Sequence, residues 1–208
     1  MVSNLKKVLI KKPQKFMSKV DLKKWNYQSP LDQKIINENY NEFFEIIRNS
    51  GAEIIELKLE DEREELCDSI FTHDPSLVLN DGAIILNMRK ELRKKETDAH
   101  HKFYNSIDIP IIGTIKNDGT VEGGDCLWIN SKTLLVGESL RTNKSGIKQL
   151  SDILKLYNIN LIPIKLPKYI NTNSCFHLMS IISMLDNDLA IGCSSIMPDF
   201  KKCYNFNF

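Results

Sequence analysis

The chain has 208 residues, enough for one domain or at most two. It is 42% hydrophobic and 26% charged, which excludes disordered and low-complexity architectures. A formal net charge of +1 leaves no global excess to draw in nucleic acid or an anionic membrane.

Val8-Leu9-Ile10 is too short for the core of a signal peptide and reads as a first strand. No run of about 18 apolar residues occurs, so no membrane contact is expected. The five cysteines are odd in number, irregularly spaced and lack a C-x-x-C pair. They read as reduced thiols of a cytoplasmic protein, four of them buried, with no metal and no cofactor expected.

The first clear helix is 32–50, where Ile36, Tyr40, Phe43, Phe44 and Ile47 line one face and Gly51 follows the end. A strand over 52–57 comes next. Leu77–Leu79 and Ala83–Leu86 flank Asn80-Asp81-Gly82 and form a hairpin. A charged helix over about 89–106 and a strand over 109–113 complete the unit. The same order recurs, with a hairpin around 130–132, a helix over 145–157 and a strand over 159–164. A third hairpin covers 178–192. Turn centres near 81, 131 and 187 give a period of 50 and then 56 residues. Units of this size bury their apolar faces against one another, in a stack or a ring.

Charge is uneven along the chain. Residues 6–24 hold eight lysines and one acid, and 53–66 hold seven acids against Lys58 and Arg63. A basic arm can touch RNA. No aromatic platform accompanies these lysines, so a solvated surface is the simpler reading.

Three polar clusters precede strands at equivalent points of successive units: Asp68–Pro75, Val121–Asp125 and Ser174–Ser180. In a ring they converge, bringing carboxylates and a histidine to one place, as a cationic substrate and proton transfer require. Taken singly, Glu122-Gly123-Gly124-Asp125 equally suits a turn, and His177 equally suits a core position. Asp125 either supports Glu122 or caps the turn.

The strings FTHDP (71–75), LRKKE (92–96), EGGD (122–125), VGESLRTNKSG (136–146) and FHLMS (176–180) resemble, in family order, the guanidino-group-modifying enzymes, or penteins. The resemblance is nearest to dimethylarginine dimethylaminohydrolases, with arginine deiminases and amidinotransferases as relatives. It implies an α/β fold, a pseudo-fivefold α/β propeller of ββαβ-type modules. Here about four modules form one domain over 1–208, with the C-terminal module missing.

The resemblance further implies that His177 is the general acid/base and Glu122 its acidic partner. It assigns Asp68 and Asp74 to the substrate's guanidinium and polar groups, and Arg93 and Arg141 to its carboxylate. The implied reaction is covalent hydrolysis of a guanidino C–N bond by a cysteine thiolate, without cofactor. The implied partner is a small guanidino substrate, arginine or a methylated arginine, and a homo-oligomer is compatible. Amidinotransferase or arginine-deiminase chemistry and a non-catalytic binder stand as alternatives. None of the five cysteines has the glycine-rich setting of the family nucleophile, and His73 stands where relatives carry Glu or Arg.

Overall fold

The computed structural model describes residues 4–15, 17–59, 66–167, 176–193, 195 and 196. Its architecture is α/β, made of small sheets linked by helical crossovers.

Two complete units recur among the described residues. In one, strands β3 (Ser76–Leu79) and β4 (Gly82–Ile85) form a hairpin, helix α3 (Lys94–Ser106) crosses over, and β5 (Ile111–Thr114) returns parallel to β4. In the other, β6 (Cys126–Asn130), β7 (Thr133–Glu138), α4 (Lys144–Lys155) and β8 (Asn160–Lys165) repeat that order. The hairpins are antiparallel and each crossover joins parallel neighbours, as a short turn and an intervening helix respectively dictate.

Partial units flank them. At the N-terminal side, β1 (Lys7–Ile10) and β2 (Glu53–Glu56) pair in parallel through the crossover helix α2 (Gln33–Asn49), which follows the four-residue α1 (Leu22–Trp25). At the C-terminal side, β9 (Ile182–Met184) and β10 (Ala190–Gly192) form a hairpin.

The sequence pattern places these elements well. Asp32 caps α2 by accepting from the N–H groups of Lys34 and Ile35, and Asn143 caps α4 by accepting from Gly146. Three differences have local causes. Phe43, placed on the apolar stripe of α2, is 48% exposed, whereas Ile36, Tyr40, Phe44 and Ile47 are partly covered. The strand expected at 109–113 begins at Ile111, because Asp108 takes a left-handed conformation and the Ile109 N–H caps the preceding helix on Tyr104 O. The stretch 178–180 is a 3-10 turn rather than strand.

The main core lies between the two complete units. Leu77, Ile84 and Leu86 meet Leu134 and Val136, while Ile147, Leu150 and Leu154 of α4 seal them. A second core joins Leu127, Leu135 and Ile164 to Leu178, Ile181 and Ala190 of the last hairpin region. Cys67 and Cys126 are buried, whereas Cys193 is exposed; Cys175 and Cys203 lie outside the described residues. No helix among the described residues is long and apolar enough to cross a membrane.

Leu150 is fully buried on α4. Leu150→Ala should lower unfolding free energy by about 2–5 kcal/mol, read as an earlier urea midpoint with an unchanged slope. A loss below about 0.5 kcal/mol would show that the two units do not share this core.

Candidate functional site

A 3-10 turn lies within or at the start of each polar cluster, ahead of the first strand of a unit: Cys67–Ile70, Gly123–Asp125 and Leu178–Ser180. Glycine lets these turns press together. A Cβ on Gly123 would collide with the His73 carbonyl, and one on Gly124 would lie 2.8 Å from the His177 ring and 3.1 Å from Asp74 Oδ1. The Gly123 N–H donates to Asp74 O, and the Gly124 N–H donates to Asp74 Oδ1 at 2.9 Å. The absence of a side chain at Gly124 therefore lets the Asp74 carboxylate and the His177 imidazole both approach the same point of the turn.

His177 is 6% exposed. Its Nε2 is 3.6 Å from Glu122 Oε2, and its Nδ1 is 3.4 Å from Asp125 Oδ1. Glu122 is fully buried and accepts from the backbone N–H of Arg89 and of Lys90 and from Arg141 Nη1. Asp125 accepts from the Ser139 hydroxyl at 2.6 Å and the Leu178 N–H at 3.0 Å. Asp125 thus reaches across to the histidine segment instead of only capping its own turn.

Asp74 is tied to Arg93, whose Nη1 donates to Asp74 Oδ2 at 2.7 Å. Burial pushes the Asp74 carboxyl up, but Arg93, His177 and the Gly124 N–H outweigh burial and hold it below its ordinary value. The other Arg93 donors are also committed. Nε and Nη2 grip both oxygens of Glu96, and Nη2 also reaches the carbonyls of Asp68 and Phe71. A guanidinium has five N–H donors. With these contacts made, only one Nη1 hydrogen is left for any other acceptor.

Arg141 differs. Its Nη1 serves Glu122, while Nε and Nη2 have no partner among the described residues, and the side chain is 17% exposed.

Asp68 completes the cluster. Tyr27 donates to its Oδ1 and Lys90 Nζ to its Oδ2, each at 2.7 Å. The structure therefore gathers all six sequence-selected residues, Asp68, Asp74, Arg93, Glu122, Arg141 and His177, into one connected network. It adds Lys90, Glu96, Asp125 and Tyr27, which the sequence reading did not select. Glu96 closes the LRKKE string, and its spacing of three from Arg93 on a helix start was a usable signal. His73 is exposed beside the network. A separate groove of about 990 Å³ lies between β2 and α3, lined by Ile54, Lys58, His101 and Phe103 among others, and contains none of the six.

Glu96 is the most buried member of the Asp68–Asp74–Glu96 trio around Arg93. Among the described residues Glu96 pairs with Arg93, which it shares with Asp74. Burial, with Asp68 and Asp74 adding to it, outweighs Arg93 and pushes Glu96 up to about 7.

Residues 60–208 match the family model described as arginine deiminase. An uncharacterised Bacillus subtilis protein, YkgA, is 27% identical over 199 residues, covering 94% of this chain and 65% of its own length. Arginine deiminase of Listeria monocytogenes is 29% identical over 127 residues, covering 56% of this chain and 30% of its own length. The chain thus spans less than two thirds of either relative. Among solved structures, dimethylarginine dimethylaminohydrolase from Pseudomonas aeruginosa, a mutant complexed with citrulline, superposes with TM-score 0.79. The match has 23% identity and covers 99% of this chain and 76% of that one. The N-terminal domain of ArgZ, a cyanobacterial arginine dihydrolase bound to substrate, gives 0.78 at 15% identity, covering 95% and 70%. These similarities establish a pentein-type fold.

A carboxyl whose pKa is raised by folding stabilises the fold only while protonated. The Glu96 contribution is complete below its ordinary value of 4.5 and is lost as pH rises through about 7. Asp74, lowered by folding, acts oppositely and loses its contribution only below its ordinary value of 3.8. Urea melts between pH 4.5 and 7.5 should therefore show a decline with pH that Glu96→Gln flattens. A parallel decline in both proteins would remove Glu96 as its source.

Proposed function

Because the chain belongs to the arginine deiminase family, we propose that it is built for dimethylargininase-like hydrolysis of a guanidino C–N bond in an arginine derivative. One observation carries this reading. A histidine sits between two buried carboxylates, Glu122 and Asp125, with a third, Asp74, beside it at Gly124. Carboxylates within 3.6 Å of both ring nitrogens hold the His177 imidazole in one orientation for proton exchange. Asp74, kept ionised by its surroundings, is matched in charge and geometry to a planar guanidinium.

In this reading the guanidinium of the substrate lies against Asp74 and its carbon faces a cysteine thiolate. The thiolate forms a C–S bond, and the C–N bond breaks as His177 passes its proton to the leaving amine. Water then adds to the same carbon and yields a proton to His177. The C–S bond breaks, returning the thiolate and releasing a ureido product. Glu122 and Asp125 hold the imidazole, and Arg141 offers Nε and Nη2 to the substrate carboxylate. Arg93 has one N–H left for that task.

The described thiols favour a second reading, a family member that binds guanidino compounds without turning them over. Burial pushes both the Cys67 and Cys126 thiols up, away from the thiolate form. Cys193 is exposed, and its thiol is lowered by the Ser195 hydroxyl rather than by His177. Cys175 and Cys203 lie outside the described residues. We expect the 208-residue chain to form no citrulline from arginine or methylarginines. Turnover that vanishes on mutating Cys175, Cys193 or Cys203 would overturn the non-catalytic reading.

Binding is expected in either case. A charged guanidinium hydrogen bond contributes roughly 1.5–3 kcal/mol, and two of them offset by ordering costs give about millimolar affinity. Methylguanidine, which carries only the reacting group, should bind at that level in ligand-observed NMR. Asp74→Ala should abolish the signal, and His177→Ala should change it little. Unaltered binding by Asp74→Ala would place the guanidinium elsewhere.

A further inference from the structure

Asp68 is assigned above to the polar groups of the substrate, and in an α-amino acid the group suited to a carboxylate is the α-ammonium. Here both Asp68 oxygens are already engaged. Tyr27 donates to one and Lys90 Nζ to the other, each at 2.7 Å. Lys90 is not a surface chain resting there by chance. Its side chain is 17% exposed, and Nζ also donates to Trp25 O at 3.2 Å and lies 5.1 Å from the centre of the Trp25 ring. Its backbone N–H lies 3.4 Å from Glu122 Oε1. Trp25 is itself buried, with Met17 and Cys67. The ammonium is therefore fixed from both ends, between the carboxylate and an indole face.

We propose that Lys90 is a built-in ammonium that fills the Asp68 subsite, so the site takes guanidino carboxylic acids lacking an α-ammonium in preference to arginine itself. The inference rests on the guanidino-binding reading and names its substrate class. Lys90 and Arg141 are linked through Glu122, which accepts from the Lys90 N–H and from Arg141 Nη1, and Asp68 beside them is already paired with Lys90 Nζ. A ligand carboxylate gains from both cations. A ligand ammonium would have to displace Lys90 from Asp68 or sit beside it, where like charges repel at short range with little solvent to screen them. Tyr27 adds to the discrimination, since its phenol already occupies the second oxygen.

Ligand-observed NMR titrations of the 208-residue protein with 4-guanidinobutyrate and with L-arginine test this. Wild type should bind 4-guanidinobutyrate at least tenfold more tightly, and Lys90→Met should reduce that ratio at least tenfold by admitting arginine. Should Lys90→Met not fold, wild type supplies the second measurement. Nα-acetylarginine, whose α-nitrogen is uncharged, should bind at least tenfold better than arginine. Arginine binding as tightly as 4-guanidinobutyrate, a ratio surviving Lys90→Met, or no gain on acetylation would overturn the role of Lys90. Each leaves the Asp74 site standing, which methylguanidine binding reports separately. Failure of methylguanidine and both acids to bind wild type would overturn the site and this inference together.

Discussion

Taking several carboxylates out of water is the constraint around which this chain is organised. Asp68, Asp74, Glu96, Glu122 and Asp125 are all buried, and a lone buried carboxylate costs several kcal/mol even after relaxation. The fold compensates each with a cation, a hydroxyl or a backbone N–H. Glu122 receives two main-chain N–H groups and Arg141, and Asp125 receives Ser139 and Leu178. Asp74 receives Arg93 and Gly124. The main-chain N–H groups of Arg89, Lys90, Gly124 and Leu178 donate across successive units, so the polar network joins the units as the apolar cores do. Removing one partner from such a network is costlier than the pair is worth, because the remaining charge stays buried.

The unit structure explains why the network is possible. A hairpin followed by a crossover helix and a parallel strand places the entrance of every first strand at the same level. The turns 123–125 and 178–180 then abut, and His73–Asp74, just after the turn 67–70, packs against Gly123 and Gly124. Gly123 and Gly124 permit the backbone approach that the arrangement needs, since any side chain there would occupy the position of His73 O or the His177 ring.

Much of this was legible in the sequence. The hairpin turns, the end of the first long helix and the recurrence of units follow from local signals, namely Asn-Asp-Gly, Gly51 and alternating apolar runs. The six candidate residues came from motifs in family order, and they do lie together. Their partners were less legible. Lys90 belongs to a charged run that reads as a solvated helix surface, and only tertiary folding brings Trp25 and Asp68 beneath it. Glu96 sat within a quoted motif, yet its burial depends on Asp68 and Asp74 arriving from another loop. Asp125 was left between two roles because whether it touches His177 depends on a segment 53 residues away. The error at Phe43 has the same origin. Helical periodicity identifies a face but cannot say how much of it the neighbouring units cover.

On the proposed guanidino-binding reading, the internal pairing also sets how a ligand can enter. Arg93 already holds a guanidinium against Asp74, so an incoming guanidinium competes for that carboxylate with a group tethered beside it. A tethered competitor acts at high effective concentration, and a guest prevails only through contacts that the tether does not make. Asp74 Oδ1, facing Gly124 and the His177 ring, is such a contact, because Arg93 is bound to Oδ2. The open Arg141 donors are another. Recognition is therefore expected to draw on both ends of a ligand at once. A guanidinium alone finds half a carboxylate, whereas a guanidinium and a carboxylate spaced to reach Asp74 and Arg141 together meet the two groups with remaining capacity. Selectivity then lies in ligand length and in the charge carried beside that carboxylate, the quantities that Lys90 and Arg141 are placed to read.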